Sequence, residues 1–170
     1  MEVLLRYPDR ADRAKANVRW AVGDIWQYHK KCTTAKQTKM AIVIPTNGTI
    51  TRLSTVVMGA GLAKDAAERF PTLSRELASR VLLDGNRVQY FPQYFLFTFP
   101  TKHNWWEYAD LSLIQESCKQ LNQLMATHNL KRVFMPKVGC GHGKLEWATV
   151  LRMLKRFLDS RCTIVTQEKE

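Results

Sequence analysis

Two rhythms of apolar residues alternate along this chain: short continuous runs, and longer segments in which apolar residues return every three or four positions. The short runs are VRWAV (18–22), MAIVIP (40–45), RVQYF and YFLFT on either side of Pro92, the segment 132–136, and the segment 162–166, and each predicts a strand. MAIVIP is continuously apolar and largely β-branched, which suits a strand buried on both faces. The helical rhythm appears over 60–70, with Leu62, Ala66, Ala67 and Phe70 in step until Pro71 stops it. It returns in ADLSLIQESCKQLNQLMATH, where Leu111, Ile114, Cys118, Leu121 and Met125 form a one-sided stripe, and over 146–158, where Trp147, Val150, Leu151, Leu154 and Phe157 turn inward. GDIWQYHKKCTTAKQTK reads as a polar, basic connection, and the charge-rich residues 1–16 as an extension or peripheral element. Strands alternating with helices predict an α/β fold with helices on both sides of a mixed sheet, and residues 17–170 read as a single domain without repeats or a low-complexity linker.

Ligands of such sheets bind where loops leave the carboxyl ends of strands. Three loops qualify: TNGTITRLSTVVMGAG, FPTKHNWWEY and KVGCGHGK. The first and third are glycine-bearing and feed helices, so they aim backbone N–H groups and positive helix ends at an anion. Neither is a Walker A loop: three residues separate Gly139 from Gly143, and Leu145 rather than Ser or Thr follows Lys144. The spacing of GxGxxG is absent as well. Two amide-bearing loops suit a pyrophosphate, although glycine in a tight strand-to-helix connection accounts for either loop taken singly.

Charge sharpens this picture. Lys and Arg number 26 against 15 Asp and Glu, a formal net charge of +11, which biases binding toward polyanions such as nucleic acid or phosphorylated ligands, while also fitting a plain basic surface. The basic run His29, Lys30, Lys31, Lys36 and Lys39 would track a phosphate backbone or simply be solvated. At 170 residues the chain can bury about two-thirds of its unfolded surface, enough to build a pocket. Cys32, Cys118, Cys140 and Cys162 are scattered without a CxxC pair, so no zinc site, metal or disulfide framework is expected, and the reading is of a reduced, cytosolic protein without signal peptide or membrane span.

Gly23-Asp24-Ile25 after a strand, Asn47 after the next strand, MGAGLA opening a helix and MPKVGCG before a late helix resemble, in this order and across 18–166, the signatures of the macrodomain family. The resemblance implies a three-layer α/β/α sandwich and an ADP-ribose site that needs no cofactor. Asp24 would accept from the adenine amino group and Ile25 would pack on the base. Asn47 would bond the distal ribose, and Met58, Gly59, Ala60, Gly61 and Leu62 with Gly139, Cys140, Gly141, His142 and Gly143 would wrap the diphosphate and that ribose. From the residues alone, Asp24 reads as a helix cap and Asn47 as a turn residue before Gly48.

VIPTNGTI, RFP, TFPTKH-x-W and GCG-x-G-x-L-x-W look most like the branch of DarG-like DNA ADP-ribosyl glycohydrolases from phages and bacteria. The resemblance places a catalytic lysine at Lys102, in Phe-Pro-Thr-Lys. Gly143 stands where related protein-glutamate glycohydrolases carry an aspartate, which favours a lysine-centred mechanism. A lysine can attack the anomeric carbon or its ring-opened aldehyde, or protonate the departing base, and the sequence leaves both routes open. His103 and His142 are further proton-transfer candidates. His103, Trp105, Trp106 and Lys144 are candidate nucleic-acid contacts; Trp105, Trp106 and Tyr108 would stack a flipped or single-stranded base, or the Trp pair would anchor its loop on the core. The function expected is removal of ADP-ribose from thymine or guanine in single-stranded DNA by a monomer, in an antitoxin, counter-defence or repair role. The alternatives are a reader that holds ADP-ribose without turnover, and a hydrolase of protein-linked ADP-ribose or of ADP-ribose 1″-phosphate.

Overall fold

The computed structural model describes residues 17–34 and 39–167, so the expected extension over 1–16 and Lys36 lie outside the described residues. Six strands form one sheet: β1 (Arg19–Val22), β2 (Met40–Thr46), β3 (Gln89–Phe91), β4 (Leu96–Pro100), β5 (Arg132–Met135) and β6 (Cys162–Thr166), in the order β1-β6-β5-β2-β4-β3. Every pairing is parallel except β3 against β4, so the sheet is mixed, as expected.

Central β2 shows how the apolar run divides. Ala41 and Val43 join one core and Ile42 and Ile44 the other, all of them fully buried, because successive side chains of a strand point to opposite faces. On the first face lie α4 (Leu111–Thr127) and α5 (Trp147–Phe157), contributing Ile114, Cys118, Leu121, Met125, Val150 and Leu154. Burial of each large side chain in that stripe is worth ~1.5–3 kcal/mol relative to exposure, ample to hold an amphipathic helix on a sheet. On the second face lie α1 (Ile25–Thr34), α2 (Gly61–Arg69) and α3 (Leu73–Asp84).

Two of these helices differ from the sequence expectation. The basic segment after Gly23 is α1 rather than an irregular connection: Asp24 Oδ1 accepts from the Trp26 amide at 2.9 Å, and Ile25, Trp26 and Cys32 are buried. Its anchoring residues are few, so lysines dominate the apparent pattern. After Pro71 the chain forms α3, with Leu73, Leu77 and Ala78 buried on one side, and Gly85 at φ 83° ends it. Its exposed Leu82 and Leu83 blur the periodicity.

The sheet also decides where the loops emerge. Thr46 pairs with Pro100, and the Thr101 amide then donates to the Thr46 carbonyl at 3.0 Å, so the loops after β2 and β4 leave side by side. Strand β5 runs parallel to β2 on its other side and delivers the third loop to the same edge.

Candidate functional site

A cavity of about 760 Å³ opens at that edge, within the size range of ligand pockets. Its lining unites all three loops: Asn47 and residues 59–63 from the first, Thr101, Lys102 and residues 105–108 from the second, and Pro136, Lys137, Gly139 and residues 141–144 from the third. Helix α2 starts within it. The residue before the helix, Ala60, has extended backbone and caps nothing with its side chain, and the first turn holds no acid. Among the described residues the amides of 59–63 and 140–143 donate no hydrogen bond, so two sets of N–H groups converge on one cavity, an arrangement that suits anionic oxygens.

The third loop shows why it contains so much glycine. Gly139 sits at φ 76°, in the left-handed region that side chains rarely occupy. At Gly143 the reason is contact: a Cβ there would lie 2.5 Å from the Gly139 carbonyl oxygen and 2.7 Å from the Ala109 Cβ. The loop folds back on itself through Leu145 N–H to Gly139 O at 2.9 Å and Lys144 N–H to Gly141 O at 3.1 Å, and the Gly143 carbonyl accepts from Ala109. Helix α5 begins only at Trp147, so this loop presents its amides rather than a helix end.

Lys102 lines the cavity, and its Nζ donates to the Trp105 carbonyl at 3.4 Å. Among the described residues no carboxylate forms an ion pair with it. The backbone beneath it is stitched on three sides: Asn86 Nδ2 donates to the Lys102 carbonyl at 3.0 Å, the Gly48 amide to the His103 carbonyl at 3.0 Å, and the Trp105 amide to Thr49 Oγ1 at 3.1 Å. Asn86 escaped the sequence reading because it stands in an unremarkable turn between α3 and β3. The cavity lining carries Lys102, Lys137 and Lys144 with Glu107, whose carboxylate accepts from Asn104 Nδ2.

Of the remaining expected ligand residues, Asn47 lines the cavity but spends its side chain locally, Nδ2 donating to the Val57 carbonyl and Oδ1 accepting from the Thr49 amide, both at 2.9 Å. His142 and Lys144 line it as well. Asp24, Ile25, Met58, Cys140 and His103 do not. Ile25 and Met58 are packed in the core under α1 to α3, and Asp24 is exposed at the start of α1. His103 Nε2 bonds Asp110 Oδ2 at 2.8 Å, away from the cavity lining. The Cys140 thiol is pushed up by burial, with Lys137 opposing, a direction that disfavours a reactive thiolate. Val57, at the start of the expected first loop, lines it too, and Ala63, Glu107 and Lys137 are among the lining residues that were not expected there.

Comparison with known proteins agrees with this fold. The macrodomain of Mycobacterium tuberculosis DarG superposes with a TM-score of 0.68 at 19% identity, over 90% of this chain and 99% of that one. The structure of Thermosipho africanus DarTG in complex with ADP-ribose gives 0.66 at 19% identity, over 91% of this chain and 43% of that one. A DNA ADP-ribosyl transferase-DNA ADP-ribosyl glycohydrolase fusion protein of Thermosipho africanus (strain H17ap60334) is 29% identical over 66 residues, 39% of this chain, and the match spans 17% of that larger protein. Among the described residues no helix is long and apolar enough to cross a membrane. The model of the Macro domain family matches residues 57–154, more than half of the chain and all of its glycine loops from Val57 onward, and this chain belongs to that family.

Proposed function

We propose that the cavity binds ADP-ribose and that the chain is an ADP-ribosyl glycohydrolase acting on a nucleobase, thymine or guanine, in single-stranded DNA, with Lys102 as the catalytic residue. The observation that carries this reading is the position of Lys102 in the lining of a cavity whose other walls are two loops of unpaired amides. The amides would hold the diphosphate, and the lysine from the neighbouring loop would stand by the distal ribose. The kinship with DarG macrodomains and the ADP-ribose complex of Thermosipho africanus DarTG support the same ligand.

Two routes use Lys102. As a neutral amine it forms a bond from Nζ to C1″ while the bond from C1″ to the base nitrogen breaks, the base taking the proton that the new ammonium sheds; the C1″–O4″ bond then opens to give an imine, and water adding to that imine releases ADP-ribose and the free lysine. As an ammonium it gives its proton to the departing base while water attacks C1″. Its Nζ meets a neutral carbonyl and, among the described residues, no carboxylate, so neither route requires an ion pair to be broken first.

The test is release of ADP-ribose, measured by mass spectrometry, from single-stranded oligonucleotides modified on thymine or on guanine and from an ADP-ribosylated protein. Release from one DNA substrate that disappears in Lys102→Ala, with ADP-ribose still bound by calorimetry, supports the proposal. Binding without release from any substrate favours a reader, and release from the protein alone favours the protein hydrolase. Borohydride added during turnover separates the two routes: a covalent ADP-ribose adduct on Lys102 marks the imine.

A further inference from the structure

We infer that Trp105 and Trp106 form a stacking platform for an unpaired base adjoining the one held in the cavity, so that this face recognises single-stranded nucleic acid through its bases as well as its phosphates. The inference deepens the reading of the cavity as a DNA ADP-ribose site and rests on it for its orientation. Trp105 is 53% exposed, Trp106 62% and Tyr108 70%, all three in the loop between β4 and α4 and all lining the cavity.

Aromatic residues that anchor a loop are buried beneath it. Here the anchoring is done by other groups: Thr49 Oγ1 under the Trp105 amide, the Gly48 amide under the His103 carbonyl, Asn86 under Lys102, and Ala109, 7% exposed, at the far end. The backbone is therefore held by hydrogen bonds while more than half of each Trp residue's surface stays exposed. Their centroids are 5.9 Å apart with planes at 89°, so one ring braces the other edge-on and the pair leaves flat surface unstacked.

Charge decides the occupant. Lys102 and Lys137 line the same cavity, and Lys144 Nζ lies 5.8 Å from the centroid of the Tyr108 ring. Flat aromatic faces interleaved with cations match a strand that alternates bases and phosphates, in which base stacking on an aromatic contributes ~1–3 kcal/mol per base. A base in a duplex has both faces covered, so the platform selects single strands.

The experiment compares binding of an unmodified single-stranded thymidine oligonucleotide with that of an abasic strand of equal length, by fluorescence anisotropy at fixed salt. The abasic strand keeps the phosphates and removes the bases. Wild type is expected to prefer the base-bearing strand by roughly 5- to 150-fold, Trp105→Ala with Trp106→Ala to erase that preference, and Trp105→Phe with Trp106→Phe to keep most of it. Equal binding of both strands by wild type, or a preference that survives the double alanine variant, overturns the inference. Because no ADP-ribose is present, these outcomes are independent of whether Lys102 proves catalytic.

Discussion

The side-chain amide of Asn86 donates to the backbone carbonyl of Lys102 at 3.0 Å, joining the turn after α3 to the loop that carries the candidate catalyst. The bond fixes where the lysine stem departs, and a modest displacement of a reacting group can cost orders of magnitude in rate. For the proposed reaction, Asn86→Ala is expected to lower turnover about tenfold or more while changing affinity for the proposed ligand less, and to lose about 1 kcal/mol of stability. Rates and denaturant melts measured together check this. Loss of stability with turnover unchanged would reduce Asn86 to a structural tie.

Gly143→Ala places a Cβ against the Gly139 carbonyl and the Ala109 Cβ, neither of which can swing aside. A cost of ~1–3 kcal/mol is expected, together with weaker ADP-ribose binding as the third loop shifts. Gly141→Ala meets no heavy atom within 4 Å and is expected to be tolerated. Urea denaturation of the pair distinguishes close packing from a general need for glycine.

The Asp110 carboxyl is held below the ordinary aspartate range by the hydrogen bond from His103, helped by the amides of Ser112 and Leu113 at the start of α4 and opposed by desolvation. A depressed folded-state pKa means that the unfolded chain binds the proton first as pH falls. The stabilisation is therefore complete above the unfolded carboxyl's pKa, about 4, and disappears as pH drops from there through the folded value. Asp110→Asn retains a capping side chain but no titrating charge, so its stability should be flatter than wild type below about pH 4, as thermal melts across that range would show.

Burial pushes the Cys32 and Cys162 thiols up to about 12 and raises those of Cys118 and Cys140 as well. All four are free. Near neutral pH an aromatic disulfide reagent should label the native protein much more slowly than free cysteine and should titrate four thiols after unfolding. Cys140→Ser should keep turnover of the proposed reaction, since burial pushes the Cys140 thiol up, away from thiolate formation. Fast modification at Cys140 that stops turnover would contradict this.

Much of the fold was determined by the sequence itself. MAIVIP, the stripe from Leu111 to Met125 and the runs around Pro92 specify their elements because burial acts on each residue through local periodicity, and Gly139 answers to a left-handed backbone within its own loop. Where the periodic signal is diluted it fails: α1 keeps few buried residues among lysines, and α3 carries exposed leucines at its end. The site is a different matter. Asn86 meets Lys102, Gly48 meets His103 and Gly143 meets Ala109 only because β2, β4 and β5 pair in one register and bring three distant loops to one edge. The same packing carries Ile25 and Met58 into the core and leaves Trp105 and Trp106 in solvent. Short-range pattern records which residues avoid water, whereas contacts between residues far apart in sequence depend on strand order and register, and only the tertiary structure decides those.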